Sequence, residues 1–211
     1  MKIHLGCGKN YREGYTNVDV DESINADFHT DLNEPLPFAN NSAEEIVSEH
    51  LIEHLTNLEG YINECWRVLK PSGVLKTRCP HFSSPYAWAN PDHKRGIAFL
   101  MIQHWTKSYP PYNVSLRWRL LDAKLIWKRS EYVGRARPLV KMLEEPINFL
   151  INLYPSLAEN FLAGYIGGIW ELYWEMQPIK DECDHDWMEL AYEGRRVMRC
   201  NRCCILKEKE G

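Results

Sequence analysis

An α/β domain built on a parallel sheet is the fold class that this 211-residue sequence predicts. Three observations carry the prediction. A short strand-like run, Lys2–Leu5, ends in a glycine turn, Gly6-Cys7-Gly8. A second run, Thr16–Val20, contains an acid, Asp19. A helical repeat over Asn57–Leu69 then leads through Pro71-Ser72-Gly73 into a further apolar run, Val74–Cys79. Glycine tolerates the turn and lets backbone approach a ligand, and an acid one strand later suits ribose hydroxyls. This is how a nucleoside-binding α/β domain begins.

The elements follow in order. Lys2–Leu5 and Thr16–Val20 are the first two strands. Only Lys9–Tyr15 separates the glycine turn from the second strand. A parallel crossover usually takes about a dozen residues, so the first connecting helix is very short or absent. Asp27–Leu32 reads as a third strand or an extended edge, and Glu45–Ser48 as a short buried strand. In Asn57–Leu69 the apolar residues Leu58, Tyr61, Ile62, Cys65, Val68 and Leu69 fall at helical spacing, and Pro71-Ser72-Gly73 ends the helix. A helix is expected near Gly96–Trp105, a strand over Arg119–Lys128, and helices over Pro138–Leu153 and Ser156–Ala163. Ile169–Met176 suits either a last strand or a helix. Gln177–Glu182 reads as a polar linker, which divides the chain into residues 1–180 and a small unit, 181–211.

Composition bounds the function. Apolar side chains make up 45% of the chain and charged ones 26%, an ordinary globular balance. No secretory leader is visible, and the uncharged runs Pro146–Ala158 and Asn160–Trp170 are too short to span a bilayer. A soluble cytoplasmic protein without a transmembrane segment is expected. Charge is unevenly spread: residues 65–141 hold 15 basic and 3 acidic side chains, whereas residues 1–64 hold 3 basic and 13 acidic ones. A basic middle third steers acidic partners, such as a phosphate-bearing sugar, a lipid head group or RNA. It also reads simply as a solvated face.

Four motifs between Lys2 and Pro80 line up with a known family. Leu5-Gly6-Cys7-Gly8 resembles the glycine loop under the methionine part of S-adenosylmethionine. Asn17-Val18-Asp19-Val20 resembles the second-strand acid that holds the ribose. Asp31-Leu32, with Leu36-Pro37-Phe38 after it, resembles the segment lining the adenine. Ile52-Glu53-His54-Leu55, followed by Arg67-Val68-Leu69-Lys70-Pro71-Ser72-Gly73, resembles the stretch leading from the fourth strand to the fifth. The sequence thus resembles a class I S-adenosylmethionine-dependent methyltransferase of a compact branch. The resemblance implies a Rossmann-like sheet with helices on both faces. It also implies a cofactor site at Gly6, Cys7, Gly8, Asp19, Val20, Asp31, Leu32 and His50. His4 stands where the family usually has an acid, and Asn10 replaces the loop's third glycine. A nicotinamide dehydrogenase fits less well, because position 11 is Tyr and Asp19 comes too soon.

Methyl transfer to oxygen needs alignment and removal of one proton. Among the histidines beyond the fourth and fifth strands, His93 and His81 are the candidate bases. His93 lies in Asn90-Pro91-Asp92-His93-Lys94-Arg95, which resembles an acceptor-facing loop of methyltransferases acting on sugars and natural products. His50 can touch cofactor or acceptor, and His54 reads as a packing residue. Lys94 and Arg95 suit an anionic acceptor. The expected reaction is methylation of a small or carbohydrate-like acceptor, on oxygen. The alternatives are an RNA methyltransferase and a cofactor-binding adaptor without chemistry.

The end of the chain carries its own signal. Cys183-x-His185 precedes Cys200-x-x-Cys203, and three thiolates with one imidazole make a tetrahedral structural zinc site. Cys204 competes with Cys203 for the fourth place. Trp187 supplies an apolar floor, and a unit this small needs a metal to fold.

Overall fold

The computed structural model describes residues 1–106, 117–127, 137–163, 168–180, 187–192, 195–200 and 206–208. Seven strands form one mixed sheet: β1 (Lys2–Leu5), β2 (Thr16–Asp19), β3 (Phe28–His29), β4 (Ala43–Glu49), β5 (Leu69–Pro80), β6 (Arg117–Ile126) and β7 (Glu171–Ile179). Their order is β3-β2-β1-β4-β5-β7-β6. The first five are parallel neighbours, and β7 inserts antiparallel between β5 and β6. The chain runs outward from β1 to β3 and then returns to β4 on the other side of β1. That switch point is where open α/β sheets hold their ligands, at the carboxyl ends of the strands.

Helix α1 (Leu58–Val68) forms where the 3.6-residue repeat predicts it, and buries Leu58, Tyr61, Ile62, Cys65 and Val68. The Asn57 side chain caps its start by accepting from Gly60 N at 3.0 Å. Extended chain resumes at once at Leu69 rather than at Val74. The register jumps from Ala43–Leu69 to Glu45–Val74, so Lys70–Gly73 bulge out of the pairing. Helices α2 (Tyr86–Ala89), α3 (Phe99–Thr106), α4 (Arg137–Leu153) and α5 (Pro155–Ala158) follow, and a π-helical turn spans Glu159–Ala163. Among the described residues no helix is long and apolar enough to cross a membrane.

Side chains alternate across a strand, and the register sorts them into two unlike faces. Ile3, Leu5, Ile46, Leu75, Trp174 and Met176 lie on one face and are fully buried, in one cluster with α1, with Phe99 and Ile102 of α3 and with Ile151 of α4. The opposite face carries Lys2, Glu45, Glu49, Lys76, Arg78, Tyr173 and Glu175 at paired positions. The expected helices on this second face are not found among the described residues. The clipped crossover is the reason: Lys9–Tyr15 contains no helix and lies over the polar face as a loop. Arg12 N donates to Asn17 Oδ1 at 2.9 Å, the Arg12 guanidinium pairs with Glu49 at 2.6 Å, and the Tyr15 hydroxyl bonds Glu45. Beneath the loop His4 is buried against Asn17, and that burial, with Arg12 nearby, lowers its pKa.

Part of the stretch expected to be a polar linker is strand. Gln177–Ile179 belong to β7, because β6 extends back to Arg117 and pairs with them. Of the run Ile169–Met176, the residues from Glu171 onward are strand, with Glu175 on the polar face. In the last unit, strands β8 (Trp187–Tyr192), β9 (Arg195–Cys200) and β10 (Leu206–Glu208) pair antiparallel in the order β10-β9-β8, with Trp187 opposite Cys200. Cys183, His185 and Cys203 lie outside the described residues.

Candidate active site

The glycine turn closes β1 against β2. Gly6 N and Cys7 N both donate to Val18 O, at 2.8 and 3.1 Å. That double contact demands left-handed backbone at Gly6, φ +66°, and a Cβ there would meet Leu51 Cδ1 at 2.9 Å. Gly8 is also left-handed, φ +50°, but a Cβ at Gly8 would meet nothing within 4 Å. Its backbone faces open space and its N–H donates to Asp19 Oδ2 at 2.8 Å. Asp19 Oδ1 accepts from Asp21 N at 3.0 Å, leaving lone pairs on both oxygens. Cys7 is buried, and burial first and Asp19 second raise its thiol pKa.

The segment expected to line the adenine continues from Asp19. Thr30 N donates to Asp19 O at 3.0 Å and carries the chain to Asp31. Asp31 is exposed and accepts from Asn33 N and Nδ2 at 2.9 and 2.8 Å, while Leu32 is buried beside it. Asn33 Oδ1 in turn accepts from Thr56 N and Asn57 N at 2.8 and 3.0 Å, which fixes this segment to the start of α1. Val20, next to Asp19, is 63% exposed.

His50, directly after β4, is held in left-handed backbone at φ +53°, a conformation that few non-glycine residues adopt. Its Nε2 lies 3.1 Å from Glu171 Oε1 and its Nδ1 3.5 Å from Glu53 Oε1. Glu171 first and Glu53 second hold the imidazole pKa up at about 9, against the pull of burial. Burial alone would raise the pKa of Glu171, yet His50 and Arg78 keep it below its ordinary value.

The two candidate bases differ in setting. His81 is fully buried. Ser83 N donates to its Nδ1 at 3.2 Å, so Nε2 is the protonated nitrogen, and it faces Glu159 Oε1 at 3.0 Å. His93 is 9% exposed, with Nδ1 at 3.0 Å from Ala87 O and its ring edge-on to His54 at 4.6 Å. Glu53, Glu159 and Glu171 are buried acids beside the candidate histidines that sequence reading did not single out. For Glu53 a signal exists, since it is a lone carboxylate in the apolar string Leu51-Ile52-Glu53-His54-Leu55. The partners of Glu159 and Glu171 are 78 and 93 residues away in sequence, and no local pattern marks them.

Comparison with known proteins adds an independent observation. Residues 5–76 match the family model described as a methyltransferase domain. The match spans the glycine turn, Asp19, the Asp31–Phe38 segment and α1. The structure is similar to an S-adenosylmethionine-dependent methyltransferase from Archaeoglobus fulgidus, at 16% identity and a TM-score of 0.50, covering 83% of this chain and 85% of that one. It is also similar to a methyltransferase solved in complex with the Trm112 activator from Haloferax volcanii, at 12% identity and a TM-score of 0.50, covering 83% and 81%. A comparison with curated proteins returns no match. At these identities the neighbours show the fold. Residues 5–76 thus carry a methyltransferase-domain match, within a fold shared with S-adenosylmethionine-dependent methyltransferases.

Proposed function

We propose that this chain transfers a methyl group from S-adenosylmethionine to a hydroxyl of a small, carbohydrate-like acceptor. The observation that carries the reading is the methyltransferase-domain match lying over a glycine turn tied to an acid, the Gly8 N–H to Asp19 contact at 2.8 Å. The residues fit the cofactor. Gly8 leaves open the space a Cβ would enter, Asp19 keeps lone pairs for ribose hydroxyls, and Val20 with Asp31 and Leu32 frames a base. S-adenosylmethionine, when bound, supplies an electrophilic methyl on a sulfonium.

The protein's part is to hold the acceptor oxygen in line and to take its proton. The geometry favours His93 over His81 for the proton. His81 has its Nδ1 lone pair engaged by Ser83 and its Nε2 proton facing Glu159, which leaves no free basic nitrogen. His93 donates from Nδ1 to Ala87 O and so keeps a lone pair on Nε2. Lys94, exposed beside it, favours an anionic or phosphate-bearing sugar over a neutral one, whereas the Arg95 guanidinium donates to Leu55 O and Thr56 O.

For residues 181–211 we propose a structural zinc ribbon held by Cys183, His185, Cys200 and Cys203. The antiparallel β8–β9 pairing that sets Trp187 opposite Cys200 supports it.

The test is S-adenosylhomocysteine release with a panel of diols, sugar phosphates and glycan fragments, and with His93→Ala and His81→Phe variants. Turnover on a sugar-like acceptor, lost at least 100-fold in kcat in His93→Ala, is expected. Turnover on RNA alone would move the acceptor to nucleic acid. Cofactor binding with no turnover on any acceptor would leave an adaptor.

A further inference from the structure

Glu53 is 1% exposed, and neither of its carboxylate oxygens has a hydrogen-bond partner. An ionised carboxylate taken out of water without donors costs several kcal/mol, so a buried one calls for a compensating cation. His93 Nε2 lies 4.0 Å from Glu53 Oε1. His93 Nδ1 lies 3.0 Å from Ala87 O, and a carbonyl only accepts, so Nδ1 carries the hydrogen. In the neutral ring Nε2 then turns a lone pair toward the carboxylate. Two electron-rich atoms face each other at a distance too long for a hydrogen bond. His54 completes the group: one ligand atom each from Glu53, His54 and His93 lies within 4.8 Å of the other two. His50 Nδ1, half-exposed at 3.5 Å, offsets charge from the rim.

We propose that Glu53, His54 and His93 form a divalent-cation site that binds the hydroxyl of the acceptor. A cation at the roughly 2.0–2.2 Å bond lengths of imidazole and carboxylate ligands holds its donors about 3–4 Å apart, close to the spacing found. Two imidazoles and one carboxylate suit Mn²⁺, Fe²⁺, Co²⁺ or Zn²⁺ better than Mg²⁺ or Ca²⁺. The His93 Nδ1 bond to Ala87 O is the outer contact that fixes the tautomer of a metal-bound histidine. Three protein ligands leave positions open for substrate. The site sits just past β4, three residues from His50, at the carboxyl end of the sheet where the acceptor is expected.

The inference rests on the methyl-transfer reading and changes the role of His93 from base to ligand. A hydroxyl bound to the cation becomes more acidic and loses its proton to water. The resulting oxygen–carbon bond forms as the sulfur–carbon bond breaks, with the electron pair left on sulfur. The substrate class this favours is a vicinal diol, which can chelate the cation through two hydroxyls.

Mn²⁺ is the probe, because thiolate sites at the chain end favour softer metals. The full chain, stripped with a chelator, is titrated with Mn²⁺ by electron paramagnetic resonance, and nitrogen modulation of the bound signal is recorded. One bound equivalent with imidazole modulation is expected. Affinity should fall at least tenfold in Glu53→Gln and in His93→Ala, with S-adenosylhomocysteine binding unchanged as the check that each variant is folded. No bound Mn²⁺, or binding indifferent to both variants, overturns the site. S-adenosylhomocysteine binding without Mn²⁺ binding sinks the site alone, and the reverse sinks the methyl-transfer reading alone.

Discussion

Removing the Glu159 carboxylate should unhook three segments of the chain at once. Glu159 is 3% exposed at the start of the π-helical turn. Its Oε1 accepts from Phe99 N and faces His81 Nε2 at 3.0 Å, and its Oε2 accepts from Leu100 N at 3.0 Å. Phe99 and Leu100 open α3, whose first N–H groups have no partner within the helix. The carboxylate therefore acts as cap for α3 and as anchor for the loop after β5. Hydrogen bonds to a charged group contribute about 1.5–3 kcal/mol each, and breaking a buried charged contact costs about 3–5 kcal/mol. Because the three bonds share one group, Glu159→Ala should lose about 4 kcal/mol, or about 10 °C in Tm for a chain of this length. Glu159→Gln keeps one acceptor and should lose about half as much. Urea unfolding followed by tryptophan fluorescence measures both. A double-mutant cycle with His81→Phe should return a coupling above about 1 kcal/mol. If Glu159→Ala costs less than about 1 kcal/mol, Glu159 anchors nothing. If the cycle shows no coupling, His81 is free for chemistry and its place as a structural residue fails.

Two further outcomes follow from the same kind of geometry. Gly6→Ala meets both a left-handed φ and Leu51 at 2.9 Å, and should lose about 2–3 kcal/mol in thermal unfolding. Gly8→Ala meets only the φ penalty, about 1 kcal/mol, but places a methyl in the open space above the turn, so calorimetry should show at least a tenfold loss of S-adenosylhomocysteine affinity. Arg67 ties the end of α1 to Leu36 O, Phe38 O and Asn40 Oδ1 at 2.9, 2.7 and 2.8 Å and pairs with Glu64 at 2.7 Å. Arg67→Ala should cost about 2–3 kcal/mol in urea unfolding, with weaker cofactor binding because Leu36-Pro37-Phe38 is released.

What was legible in the sequence was local. The glycine turn, Asp19 and the α1 repeat each depend on residues a few positions apart, and each sits where its spacing predicts. The absence of a first crossover helix was legible from the length of Lys9–Tyr15. Its consequence was not, because sequence spacing does not say which sheet face loses its cover. Arg67 stood in a recognisable string, but its role as a clamp depends on Leu36 and Phe38 from another part of the chain. Glu159 and Glu171 gave no signal for the same reason: a buried acid acquires meaning only when distant partners converge on it. Glu53 is the instructive case. Its apolar neighbours predict burial, and burial of an acid predicts a counter-charge, yet His93 lies 40 residues further on. The His54 ring, read as a packing residue, lies against His93 as that reading expects and also brings a nitrogen to Glu53.

The most direct measurement is titration calorimetry of the purified protein with S-adenosylhomocysteine, beside an Asp19→Ala variant shown to be folded. The account predicts micromolar binding by the native chain and a loss of at least tenfold in the variant, because Asp19 holds the Gly8 N–H and, in the proposed reading, takes the ribose hydroxyls. Absence of binding by the folded native protein, or equal binding by the variant, would contradict it.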